Sequence, residues 1–533
     1  MLYLKNRKGS PEGFCSLIGL LTLAVLLLTG CGKDNSFKNK DITMEAFSDM
    51  KAPAFVFDFQ QIRRLVNETI RKEDVVAEAD RRLRDYYAQT DAQLLWIDRA
   101  GIDHRADTLL TYLHQVSEIG FSEQAFYVGA IEHDLQLLRQ LQFGEGAADI
   151  NHVAARLECH LTKACLRYAY GYRYGFMNPS RVFNNLDPEE KKDGESSQIV
   201  RYRGLFDVDM EKAPADYHLT VMGKIAHDSI AEYLTSIQPQ NKFYHQLKGM
   251  LKDATTAEQR QRILCNMERT RWRLHNPIPE TGKYIVVNIP AYHLYAYGDD
   301  TLLHMRIVCG ASKTKTPLLS SEIEWMEVNP QWVIPRSILE KDVVRHAGDS
   351  AYFARNRYNI FERATNKQME ISEVTQSMLL SGKYRVAQES GDDNSLGRLV
   401  FRFKNKFSVF LHYTSTPSVF KRDSRSISHG CVRVERPFEL AHFVLDEPDE
   451  WLLDRIRISM GLKPASERGM KYLRAHQDEE DHKLIGYVPV KPHVPLYIIY
   501  YTLWPDETGA LQTWPDVYGY DRVVIETLKP YLP

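Results

Sequence analysis

The tract Ser428-His429-Gly430-Cys431-Val432-Arg433 surrounds one thiol with groups that can change its reactivity, and a further histidine, His412, lies 19 positions upstream of Cys431. A thiol attacks as thiolate, and a neighbouring imidazole is the usual means of removing its proton. His429 is too close in sequence to be a well-aimed base by itself. His412 closes a predicted strand and can fold back through the intervening loop. Ser428 and Gly430 are small, leaving room for a substrate carbonyl and for backbone N–H donors, Gly430's among them, to hold an oxyanion. Arg433 supplies a fixed positive charge suited to a carboxylate. A lone cysteine is more often a small buried hydrophobe, and a lone histidine more often structural. The joint pattern is far more specific, provided that the surrounding elements place the groups together.

Those elements change character along the chain. From about Phe55 to Trp272 apolar residues recur at three- and four-residue intervals, the helical period. Met177-Asn178-Pro179 and Asp187-Pro188 punctuate the run as turns. This half holds no conspicuous acid–base pair and reads as a scaffold, with Tyr168, Tyr170, Tyr172 and Tyr174 as packing residues. After Pro277-Ile278-Pro279 the period becomes that of strands: Tyr284–Ile289, Tyr292–Tyr297, Thr301–Cys309, Glu324–Asn329, Arg398–Lys404 and Phe407–Leu411. His412 then falls at a strand end, where rigid backbone can aim it. An insertion at about 336–396, with helical stretches at Ser337–His346 and Ser372–Leu380, has the size of a lid. Pro437–Asp446 and Glu450–Met460 read as helices. Leu496–Trp504 and Leu511–Val517 form a last hairpin, expected to return to the catalytic sheet. The fold class expected is α+β, with an all-helical domain preceding a mainly-β one. The divisions fall at 55–276, 277–465 with its inserted cap, and a C-terminal extension at 466–533.

The chain has 533 residues, enough for two or three domains, and its 68 basic and 70 acidic side chains nearly cancel. That balance gives no case for nucleic-acid binding. The local cluster Lys421, Arg422, Arg425, Arg433 and Arg436 reads as a solvated loop at Lys421 and Arg422. Seven cysteines are too few for a disulfide scaffold. Cys159, Cys165, Cys265 and Cys309 are expected in the core. No Cys/His set has zinc spacing, and no metal or organic cofactor is implied. At the N-terminus, Lys5, Arg7 and Lys8 precede the apolar run Phe14–Leu28, which reads as an export signal of residues 1–30. Its end, Leu28-Thr29-Gly30-Cys31, resembles a bacterial lipobox. Cys31 is then expected to be lipidated, holding the chain to a membrane through a polar tether at 31–54.

His412 and the Ser428–Arg433 tract together resemble the signature of the L,D-transpeptidase family, the cysteine enzymes that cross-link bacterial peptidoglycan. The likeness extends to the large periplasmic subfamily with a helical scaffold domain. It is carried by Asn266–Leu274, Tyr284–Tyr297, Asn329–Pro335, Gln388–Gly397 and Pro495–Gly509, and around Leu95-Trp96-Ile97 in the helical half. Two departures stand out: Tyr413 follows His412 where most of the wider family has glycine, and no separate peptidoglycan-binding repeat is recognisable. The resemblance implies a periplasmic lipoprotein of the cell envelope and acyl transfer through a Cys431 thioester. His412 would move the proton, His429 would order the loop or assist at the oxyanion, and Arg433 and Ser428 would contact substrate; an exchange of the two histidine roles stays open. The implied partners are a tetrapeptide donor stem and a diamino-acid acceptor stem of peptidoglycan, with carbapenem-type inhibitors. With the same residues an L,D-carboxypeptidase or a wall-protein attachment enzyme is possible, and an inactive wall-binding scaffold is the reading from another class.

Overall fold

The computed structural model describes residues 41–72, 74–89, 92–189, 200–479 and 482–533. The leader and Cys31 lie outside these residues. The helical half is arranged around Ile150–Tyr174, a helix buried on nearly every side. Asp149 caps its start by accepting from the His152 amide at 2.9 Å. Glu158, fully buried on this helix, accepts from Tyr87 Oη and from the Leu95 and Trp96 amides at 2.5, 2.6 and 3.1 Å. Burial raises its carboxyl pKa. The Leu95-Trp96-Ile97 segment is thus tied to the central helix by otherwise orphaned backbone donors. Tyr168, Tyr170 and Tyr172 pack in the core as expected, and Cys159, Cys165, Cys265 and Cys309 are buried and joined in no disulfide among the described residues. Among the described residues no helix is long and apolar enough to cross a membrane.

The other half is a closed barrel. Its strands are β1 (Phe206–Asp207), β2 (Tyr284–Asn288), β3 (His293–Tyr297), β4 (Leu302–Gly310), β5 (Leu318–Val328), β6 (Leu399–Phe403), β7 (Leu411–His412), β8 (Ser426–Ser428), β9 (Val432–Val434) and β10 (Tyr487–Ile499). The order β6-β7-β9-β4-β3-β2-β10-β5 is closed by pairing of β5 with β6, and β1 and β8 attach to it at β5 and β4. Closure removes the exposed edges that an open sheet would leave. Most pairs are antiparallel; β7 with β9 and β2 with β10 are parallel.

Two arrangements differ from the strand pattern in sequence. The segment after residue 465 is a structural part of the barrel, because β10 lies between β2 and β5. Its run is interrupted by Pro489, Pro492 and Pro495, which mask the alternation, and a register shift falls between Pro489 and Val494. The expected last hairpin is instead a separate two-stranded sheet, Leu503–Pro505 with Leu511–Thr513. The helical half is also not closed off at residue 276: β1 runs parallel to β5, pairing Phe206 with Leu318. Arg269 reaches the C-terminal helix at Asp521, 2.7 Å away. One apolar core runs through both halves.

The insertion is a small domain with its own core. Three strands, Trp332–Val333, Tyr358–Glu362 and Tyr384–Gln388, form a sheet that the helical expectation missed. Ile334, Leu339, Val343, Phe353, Ile360, Leu379 and Val386 form a core distinct from that of the barrel. Asn394 Nδ2 donates to both the Pro330 and Glu389 carbonyls, at 3.2 and 2.7 Å, so the stems of the insertion stand side by side. Excising 331–388 and joining Pro330 to Glu389 should therefore leave a folded barrel. It should slow turnover of a long peptide far more than alkylation of the thiol, since a lid orders a flexible ligand but a small reagent needs only access. Melting and the two rates check this; a normal melt with parental turnover would show the insertion to be no cap.

Candidate active site

Cys431 immediately precedes β9, and His412 ends β7. In this parallel pair Leu411 faces Val432 and His412 faces Arg433. Alternation along each strand therefore sends Leu411, Val432 and Val434 into the barrel core. Phe410, His412, Cys431 and Arg433 share the opposite face. His412 and Cys431 are diagonal neighbours there, offset by two residues along adjacent strands. Parallel strands cannot be joined by a tight turn, which is why the two residues stand so far apart in sequence.

The loop carrying the thiol is held from below by hydroxyls. Thr314 Oγ1 donates to the Ser428 carbonyl at 2.7 Å, and Thr316 Oγ1 to the Gly430 carbonyl at 2.8 Å. Ser428 Oγ donates to the Cys431 carbonyl at 2.6 Å and accepts from the Gly430 amide at 3.1 Å. Gly430 has φ of +120°, a conformation that a side chain would strain. Gly310 must lack a side chain for another reason: a Cβ there would lie 2.0 Å from the Thr314 carbonyl. The 310–316 loop is in turn anchored to distant parts of the chain. Tyr518 Oη donates to the Gly310 carbonyl at 2.7 Å and accepts from the Thr316 amide at 3.1 Å. Lys315 pairs with Asp187 at 2.6 Å, and Arg203 donates to the Lys313 carbonyl. The helical half and the C-terminal segment thus both fix the floor of the thiol loop.

Sequence reasoning missed this floor. Thr314, Thr316 and Tyr518 carry no signal beyond the run Thr314-Lys315-Thr316 after a strand. Thr316→Val should orphan the Gly310 amide and the Gly430 carbonyl, costing about 1–3 kcal/mol. Turnover number should fall with little change in KM, because loop position and not substrate contact is lost. Thr316→Ser should restore both; an unaltered turnover number in the valine variant would refute the positioning role.

His412 is buried, and its Nδ1 donates to the Leu396 carbonyl at 3.4 Å. That bond assigns the proton to Nδ1 and leaves Nε2 as the acceptor. Leu396 lies where the insertion returns to the barrel, so the insertion's stem aims the imidazole. Burial, then the Arg433 charge, push the imidazole pKa down to about 3. Burial pushes the Cys431 thiol up to about 11, against the Phe410 backbone and the Arg402 and Arg433 charges, which favour thiolate. Both shifts disfavour the charged form of their group, thiolate and imidazolium alike.

Arg433 donates from Nη1 to Thr414 Oγ1 at 3.4 Å, while its Nε is buried without a partner. Burial lowers its pKa. A cation held at that cost beside the thiol can stabilise a developing oxyanion or receive a carboxylate. Arg402, missed in the sequence, lies over the Phe410 ring at 4.4 Å and pairs with Glu327 at 3.0 Å. Arg425 is buried and donates to the Ile307 and Tyr292 carbonyls at 3.1 Å each, so it is a structural member of the basic cluster, whereas Lys421 and Arg422 are exposed. His429 is exposed above the loop. Tyr413 packs on Val308, Val419 and Phe420, turned away from the thiol's partners. Among the described residues no group of His, Cys, Asp and Glu could hold a metal ion.

Residues 282–461 match the family profile of the L,D-transpeptidase catalytic domain, and residues 81–251 that of the scaffold domain. The chain is also 27% identical over 309 residues to a Haemophilus influenzae protein named "Putative L,D-transpeptidase". That similarity covers 57% of this chain and 58% of the relative's length.

Proposed function

We propose, from the premise that this chain joins a scaffold domain to an L,D-transpeptidase catalytic domain, that it cross-links peptidoglycan stem peptides through a Cys431 thioester. The observation that carries the reading is the shared face of β7 and β9, which presents the thiol, the aimed imidazole and a guanidinium whose Nε lacks a partner. Cys431 Sγ attacks a stem-peptide carbonyl while His412 Nε2 receives the thiol proton. Collapse of the tetrahedral species forms the thioester and breaks the peptide bond, and the imidazolium returns the proton to the departing D-alanine amine. The side-chain amine of a second stem then attacks the thioester; His412 takes the amine's proton and passes it to the departing sulfur, so the new amide forms as the C–S bond breaks and the thiol is restored.

The Cys431 amide and the Arg433 guanidinium are the nearest candidates to steady the oxyanion. The Gly430 amide, expected for that role, would first have to leave Ser428 Oγ. Exposed His429 is free to close over a bound stem. A carbapenem carbonyl is an activated substitute for the donor and would acylate the same sulfur. Lipidation at Cys31 would place this chemistry in the bacterial envelope; Cys31→Ser should then release the chain from membranes.

Mass spectrometry of products from purified disaccharide-tetrapeptide tests the reading. A cross-linked dimer supports it. Tripeptide alone would make the chain a carboxypeptidase with the same residues, and no product would leave a wall-binding scaffold.

A further inference from the structure

A second cleft lies where the helical half meets the barrel, away from the thiol. It encloses about 720 Å³ and is lined from both halves. It opens beside β2 and β3, while the thiol face belongs to β7 and β9; β4 separates the two regions in the barrel. Nothing in the mechanism above uses it.

Aromatic rings form much of its wall. Phe243, Tyr501 and Trp504 cluster at centroid distances of 5.2 to 5.7 Å, and Tyr284 stacks on Tyr297 at 4.8 Å. All five are only partly buried, so part of each ring remains accessible. Interleaved with them are the amides Gln240, Asn241 and Gln246, all exposed. Flat apolar faces and neutral amides together suit one chemical class. The C–H faces of a pyranose pack on rings, and its hydroxyl and acetamido groups both donate and accept, as the amides do. The volume is that of a small-ligand site.

We propose that this cleft binds the glycan backbone of peptidoglycan, a chain of N-acetylated amino sugars, and so holds the polymer whose stems the thiol processes. The proposal rests on the peptidoglycan reading for the identity of the polymer. It rests on the cleft for the place of binding. The division of labour is physical: a flexible stem reaches a distant thiol more often when its glycan is already held by the same molecule.

The test uses the full chain with the N-acetylglucosamine tetrasaccharide as probe, followed by tryptophan fluorescence and calorimetry. Binding should be saturable and should weaken at least roughly tenfold in Trp504→Ala, which removes a platform ring. Gln240→Trp keeps every ring, changes an exposed position and fills the cleft; it should weaken binding similarly with an unchanged melt. Both variants should raise KM for glycan-linked stems and leave turnover of a sugar-free tetrapeptide as in the parent. No saturable binding, or parental affinity in both variants, would overturn the proposal, as would displacement of the probe by the free tetrapeptide, which would assign the cleft to stems. A chain that binds the tetrasaccharide yet yields neither dimer nor tripeptide would defeat the cross-linking reading and leave the glycan site standing.

Discussion

Cys431→Ala is expected to remove all turnover of stem peptides while leaving the fold nearly unchanged. In the proposed mechanism the sulfur forms the covalent intermediate, so no other group can substitute for it, and the loss should reach at least about a thousandfold. The stability cost should be small. Cys431 is only half-buried, and the bonds that hold its loop come from the Ser428, Thr314 and Thr316 hydroxyls. Cys309 is the opposite case: fully buried on β4, with burial pushing its thiol up to about 12. Cys309→Ala should therefore lower the melting temperature and retain turnover. Product analysis and melting of the two variants decide the matter. Cross-linking by Cys431→Ala would sink the thioester mechanism outright.

His412→Ala should lower turnover at neutral pH by about a hundredfold or more, the usual weight of a positioned base. The pH dependence is the sharper test. Because the thiol is pushed up to about 11 and the imidazole down to about 3, the parent holds both groups neutral at pH 7. Alkylation by a small neutral reagent should then rise steadily above pH 8 toward the raised thiol pKa. At pH 7 the variant should react more slowly than the parent, having lost the proton acceptor. Near pH 11 solvent removes the proton and the two rates should converge. A parental rate already level below pH 7 would instead mean a resting thiolate–imidazolium pair. If His429→Ala slows alkylation and His412→Ala does not, the two histidines exchange roles.

The candidate thiol and imidazole were legible because the motif that carries them is compact in sequence. Ser428, Gly430 and Cys431 lie within four consecutive positions, and His412 follows a strand pattern. A parallel return between adjacent strands needs a long connection, which the 19-residue spacing supplies. The helical period up to Trp272 and the change after Pro279 were legible for the same reason, since amphipathic repeats within one element are fixed by its own residues. The cap's sheet was less so: its strands are only two to five residues long and pair across intervening helices.

Residue order alone carries the candidate thiol, its likeness to a family, and the division into a helical and a mainly-β half. Tertiary structure alone decided the rest. Whether β10 is an appendage or a barrel strand depends on which distant segments leave hydrogen bonds open to it, here β2 and β5. The use of Leu396 to aim His412 depends on how the cap's stems meet the barrel. Tyr518, more than 80 residues after the thiol, supports its loop because the C-terminal segment folds back over Gly310. Burial disfavours the charged forms of Cys431 and His412, raising one pKa and lowering the other. Each of these rests on desolvation or on hydrogen bonds closed between remote segments, and neither is encoded in the spacing of neighbours along the chain.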